Sequence, residues 1–261
     1  MTFTRKLRLS LLTALLAGAP FISQAALQQV RFAVDPTYPP FESKTSDGKL
    51  VGFDIDLGNA LCKQMDVKCV WVENEFDGMI PALKARKFDA ILSDMGLTQE
   101  RLKQIDFTVP IYNTPVMLVA RKGSGLLPTA ESLKGKSIGV EQGTVQERYA
   151  RAKWQPNGVN IVSYGDQAQV ENDLVAGRID AEFTDGAQAG IGFLKSPAGK
   201  DFALSGPAVE DPIIGPGTAI GLRKGDTELR TALDTAFEKI KADGTFDKLQ
   251  KKYFTTDISA K

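Results

Sequence analysis

From residue 30 to residue 253, short apolar runs alternate with stretches of helical spacing. That alternation is the strongest constraint in the chain, because it restricts the fold to the α/β class with mainly parallel sheets. Residues 30–34 read as a first strand. It runs into Asp35-Pro36-Thr37-Tyr38-Pro39-Pro40, where the prolines predict irregular backbone. Residues 54–65 place Ile55, Leu57, Ala60 and Leu61 on one side of a helix. A strand over 67–72, a helix over 77–86 and a short buried strand over 89–93 follow. Thr98 is placed to cap a helical turn that holds Arg101.

After a strand over 116–120 a second series begins. It has strands over 137–140, 160–163 and 181–184, with helices over 145–154 and 167–176 between them. Residues 205–218 are rich in glycine and proline, which predicts a connector. A strand over 219–222 and helices over 228–242 and 246–253 complete the chain. Two series with a return crossing predict two α/β lobes, the second inserted in the first. Ligands of such folds bind outside the carboxyl ends of the strands. Asp35, Ser93, Glu141 and Asp185 all fall just past a predicted strand. Any one of them could be a solvated loop group; four at equivalent places point to a shared cleft.

The first residues stand apart from this pattern. Arg5, Lys6 and Arg8 precede a short apolar run, and Ser23-Gln24-Ala25 ends it with the small residues that a signal peptidase reads. About twelve apolar residues are too few to span a bilayer, which takes roughly 20. Residues 1–25 are therefore expected to be a cleaved signal peptide, with an N-terminal membrane anchor as the alternative, and the mature protein to be exported. Loss of three basic residues leaves 29 Lys and Arg against 32 Asp and Glu, so no basic field for nucleic acid remains. Cys62 and Cys69 suit one disulfide in an exported chain, with a two-cysteine metal site as the alternative. The chain has no histidine, which excludes serine–histidine catalysis and imidazole zinc ligands. No metal or cofactor is expected.

Several ordered motifs carry a resemblance. Asp35-Pro36-Thr37-Tyr38-Pro39-Pro40-Phe41-Glu42 is followed by Leu50-Val51-Gly52-Phe53-Asp54-Ile55-Asp56-Leu57, then by Phe76-Asp77-Gly78-Met79-Ile80-Pro81. Further along stand Gly139-Val140-Glu141-Gln142-Gly143-Thr144 and Ala242-Asp243-Gly244-Thr245-Phe246-Asp247. The set resembles the polar amino-acid-binding proteins of ABC transporters, solute-binding family 3. The likeness extends to members that bind lysine, arginine, ornithine and histidine, including the placement of Cys62 and Cys69. The resemblance implies a periplasmic binding protein of the second type. Lobe 1 would be residues 26–112 and 219–261, lobe 2 residues 116–209, and the hinge crossings 113–115 and 210–218. It also implies a monomer that delivers its ligand to the membrane permease of an ABC transporter.

By the same resemblance Arg101 is the clamp for a ligand carboxylate, which a guanidinium can bind bidentately. Backbone N–H groups near Thr98 and Thr144 would add to it. Asp185 would meet the α-ammonium, Tyr38 and Phe76 would sandwich the aliphatic stem, and Asp35 would meet a distal cation. Gln146 and Ser93 would line the same site. From spacing alone Arg101 reads rather as an exposed helix residue, and core packing is the alternative for the two aromatics. Asp94 and Gly96 replace serines of those relatives, Glu141 an apolar residue, and Val145 a threonine. Asp35, Asp94, Glu141 and Asp185 against Arg101 favour a cationic ligand, because unpaired buried charge is costly. Paired Asp35 and Glu141 suit a guanidinium, so arginine is expected first, then ornithine, lysine and histidine.

Gly96 leaves space by the α-nitrogen, so an arginine-derived opine or a cationic amine is the alternative. An enzyme resembling exported dehydratases is a further one, disfavoured because such a substrate is polyanionic. A sensory co-receptor would use the same binding physics.

Overall fold

The first apolar run becomes an inner strand of a five-stranded sheet. In the computed structural model, which describes residues 27–260, β1 (Gln29–Val34) leads into a small antiparallel sheet. That sheet is formed by β2 (Thr37–Tyr38), β3 (Glu42–Lys44) and β4 (Leu50–Val51). The expected signal peptide lies outside the described residues. Next come α1 (Phe53–Met65), β5 (Lys68–Glu73), a 3-10 turn at Phe76–Gly78, and α2 (Met79–Lys84). The segment ends with β6 (Ala90–Ile91), α3 (Gln99–Leu102) and β7 (Asp106–Phe107).

The chain then crosses to a second sheet. It contains β8 (Val116–Arg121), α4 (Ala130–Leu133), β9 (Ser137–Glu141), α5 (Val145–Lys153), β10 (Asn160–Tyr164), α6 (Gln167–Val175), β11 (Ala181–Asp185) and β12 (Phe202–Val209). A π-helical turn, Gln188–Phe193, follows β11. The return crossing leads to β13 (Gly221–Leu222), α7 (Thr227–Ala242) and α8 (Thr245–Tyr253).

The two sheets have one plan. Their strand orders are β5-β1-β6-β13-β7 and β10-β9-β11-β8-β12. Within each, a single strand runs against both its neighbours: β13 in the first, β8 in the second. Each reversed strand is the one the chain enters after crossing from the other sheet. A crossing must re-enter a sheet from the cleft side, so it cannot run parallel to strands that end there. The rest is parallel, which requires helical crossovers.

Two expectations fail locally. Irregular backbone over 35–40 gives way to β2, whose pairing with β3 tolerates the flanking prolines because the sheet is short and peripheral. The connector expected to begin at residue 205 begins later, since β12 extends to Val209 through Gly206 and Pro207. β12 is an edge strand with a register shift between Ser205 and Val209, where a missing N–H costs no ladder bond.

Each lobe has its own core. Lobe 1 packs α1, α7 and α8 on the sheet, with Phe41 stacked on Tyr112 at 5.4 Å and Phe53 edge-on to it. The second is centred on Trp154 and Phe183, ring centroids 4.5 Å apart. Burial of a side chain like Phe183 stabilises by roughly 1.5–3 kcal/mol. Cys62 on α1 and Cys69 on β5 form the expected disulfide, with Cα atoms 5.7 Å apart. It staples the α1–β5 turn.

Candidate functional site

The twelve residues singled out in the sequence line one cavity between the lobes, which encloses about 580 Å³ of empty space, part of it open to solvent. Topology explains the convergence. Asp35 follows β1, and Ser93 and Asp94 follow β6; Glu141 ends β9, and Asp185 ends β11. β1 and β9 hold the same place in their sheets, as do β6 and β11. The acids therefore form two cross-lobe pairs at equivalent strand ends, Asp35 with Glu141 and Asp94 with Asp185.

Burial dominates the chemistry of all four. It raises Asp35 to about 6, against the opposing effect of the Thr37 hydroxyl and the Phe76 N–H that it accepts at 2.8 and 3.1 Å. Asp185 is also raised to about 6 by burial, opposed by the Thr114 hydroxyl and the N–H groups of Gln188 and Ala187. Glu141 stands well above the usual range through burial, then through the like charges of Asp35, Asp166 and Asp94. Asp94 is raised by burial and by Asp185. A cation entering this space would restore the ionised forms. Asp94 is also held in the left-handed region at φ 41, with Thr218 donating to its Oδ1 at 2.7 Å. A non-glycine residue there is uncommon and marks a functional candidate.

Arg101 is the positive group on the cavity wall. The Thr98 cap fixes α3, accepting the Arg101 N–H at 3.2 Å, and the guanidinium lies over Phe76 at 5.3 Å. Its Nη1 donates to the Gly96 carbonyl at 2.7 Å and its Nη2 to the Gly143 carbonyl at 2.9 Å. Two of five donors are thus engaged, one on each lobe, and the rest are free for a carboxylate. Burial lowers its pKa to about 10, so it stays charged at neutral pH. Opposite, Thr144 caps α5 by accepting the Glu147 N–H at 3.1 Å, which puts Val145 and Gln146 at the helix N-terminus on the cavity wall.

The lobes meet around this cavity. The Tyr38 hydroxyl lies 2.9 Å from that of Thr184 and accepts the Asp185 N–H at 3.1 Å. Glu100 pairs with Arg148 at the rim. Gly192 packs so closely on Pro39 that an added Cβ would lie 2.4 Å from its carbonyl oxygen. Gly96 differs: a Cβ there would meet Val145, Ile214 and Arg101 at 3.4–3.6 Å, ordinary contact distance.

Sequence reasoning missed seven further lining residues. Glu42 is one: it is buried, accepts the Ser93 hydroxyl at 2.7 Å, and burial beside Asp54 holds it well above the usual range. Its place in the Asp35–Glu42 motif was the available signal. Asn113, Thr114, Val116, Ile214, Gly217 and Thr218 line the wall where the chain crosses between lobes. Nothing in their spacing marks them, because the crossings are brought together only by the two sheets.

Two α/β lobes of one strand order, with a polar cavity at their strand ends, define a two-lobed periplasmic binding protein of the second type. An ancestral arginine-binding protein solved with arginine superposes with a TM-score of 0.82, at 35% identity, over 88% of this chain and 99% of its own. Residues 30–256 match the bacterial extracellular solute-binding proteins, family 3, and the chain belongs to that family. It is 50% identical over 256 residues to the histidine-binding periplasmic protein of Escherichia coli (strain K12), covering 97% of this chain and 98% of that one. It is also 50% identical over 254 residues to the lysine/arginine/ornithine-binding periplasmic protein of the same strain, covering 97% of each.

Proposed function

We propose that this protein captures a cationic amino acid, arginine first, in the periplasm and delivers it to the permease of an ABC importer. The observation that carries the reading is the pairing of acids across the cleft around a single arginine. The ligand carboxylate would lie on Arg101 and the amide groups at the start of α5, its ammonium between Asp94 and Asp185. The guanidinium would lie between Asp35 and Glu141, and the stem between Tyr38 and Phe76. Residues 113–115 and 210–218 would be the hinges on which lobes 26–112 with 219–261 and 116–209 close. The activity is binding without chemistry. The lack of a side chain at Gly96, where a small group would fit in contact with Val145, Ile214 and Arg101, supports a second reading, an arginine-derived opine whose N-substituent lies there.

Calorimetric titration of refolded, ligand-stripped protein tests both readings. The panel is arginine, ornithine, lysine, histidine, glutamine, agmatine and an arginine-derived opine. Tight binding of arginine or ornithine with no heat from glutamine supports the first. Binding of the opine alone replaces it with the second, and silence across the panel removes both.

A further inference from the structure

We propose that Glu171, outside the cavity, positions the Tyr38 hydroxyl through Gln188 and Thr184, so that Tyr38 latches lobe 1 to lobe 2 in the closed protein. The inference rests on the reading that lobe closure traps the ligand, and adds to it a residue that touches no ligand.

Donors and acceptors run one way along a single chain of contacts. Glu171 on α6 accepts from the Gln188 side-chain amide at 2.7 Å. Burial raises the Glu171 pKa and this bond opposes the rise; an ionised carboxylate only accepts, so in that form the bond fixes which end of the Gln188 amide faces the other way. Its Oε1 then accepts the Thr184 hydroxyl at 3.2 Å. Thr184, its proton committed, can only accept from Tyr38, 2.9 Å away. The Tyr38 oxygen in turn receives the Asp185 N–H at 3.1 Å. Each of the two hydroxyls, Thr184 and Tyr38, thus donates once and accepts once, in one direction.

Burial makes the direction matter. Gln188, Thr184, Asp185 and Tyr38 are all buried, so none can turn to water instead. If the Gln188 amide were reversed, Thr184 would accept from it and donate to Tyr38. The Tyr38 oxygen would then receive two donors, and its own proton would have no acceptor. A buried donor left without a partner is the costly case. Tyr38 lies on β2 in lobe 1, whereas Thr184 and Asp185 lie on β11 in lobe 2. The cost therefore falls on the closed arrangement alone.

A double-mutant cycle read by arginine titration tests this. Glu171→Met removes the acceptor and Tyr38→Phe removes the hydroxyl. Each is expected to weaken binding about tenfold, the size of one lost buried hydrogen bond. Glu171→Gln keeps a carbonyl acceptor and is expected to restore affinity to within about twofold. The decisive result is that Glu171→Met adds no loss in the Tyr38→Phe background. An equal loss in both backgrounds, or none in the wild type, overturns the latch. If the wild-type protein binds nothing in the panel, the functional reading has failed, and paired spin labels on the two lobes still decide the latch. Both variants must then shift the interlobe distance to the same longer value, and an unchanged distance overturns it.

Discussion

The two lobes are built on one strand order yet equip the cavity differently. Both place an acid at the end of the same two strands, Asp35 and Asp94 in the first lobe, Glu141 and Asp185 in the second. They diverge in what comes after those strands. In lobe 1, β1 runs into the small sheet that presents Tyr38, and β6 leads to α3 with Arg101. In lobe 2, β9 runs directly into α5, whose N-terminus faces the cavity, and β11 into the π-helical turn. Position along a shared topology sets where negative charge gathers. The local connection decides whether a cation, an aromatic ring or a row of amide groups stands beside it.

The largest test of that division is Arg101→Ala, which is expected to weaken arginine binding about 100-fold or more, as for a desolvated charge pair. A loss below about tenfold would make the amide end of α5, rather than Arg101, the main carboxylate site. Next, Cys62→Ser with Cys69→Ser is expected to lower stability by about 2.5 kcal/mol, from the short loop the disulfide closes. In a calorimetric melt the effect belongs to lobe 1; a matching shift in any separate transition of lobe 2 would show the lobes unfold as one. Glu141→Leu is expected to weaken arginine about tenfold and lysine or histidine less, the loss of a charged hydrogen bond. Equal losses for all three ligands would separate Glu141 from its partner Asp35.

The smallest effect for any single residue is the pH dependence. Burial in the closed cleft raises Asp35 and Asp185 to about 6. A bound cation favours their ionised forms, so binding below that pH expels protons and affinity falls as pH drops. One titrating acid predicts about a fourfold loss between pH 7 and 5.5, and two predict about fourteenfold. Calorimetry in buffers of different ionisation heat counts the protons and tells whether one lobe or both respond. Ligand-free stability moves the other way. Folded values raised above the unfolded value of about 3.9 penalise the fold most above pH 6, and the penalty is relieved as pH falls toward 4.

Much of this was legible in the sequence. The alternation of apolar runs with helical spacing gave most of the long elements, because each buries a face large enough to leave a period; β12, a largely exposed edge strand, left none. Strand-end position, together with the family motifs, gave residues that converge on one cavity. Two kinds of feature left no such trace. Short pairings such as β2 with β3, or Asp106–Phe107 as β7, are held by register with distant strands and have no period of their own. Asn113, Thr114 and Thr218 meet the cavity only because two crossings lie side by side. Glu171 and Gln188 were invisible for a related reason: their importance depends on the direction of protons, which a residue string does not carry.

Gly192 gives the meeting of the two halves a hard mechanical limit. It rests on Pro39 with no room for even one added carbon. The depth to which one half settles into the other is set there by bare backbone, as a door is set by its frame. A lone methyl at residue 192 would act as a wedge, leaving the charged walls intact and only the last ångström of travel denied.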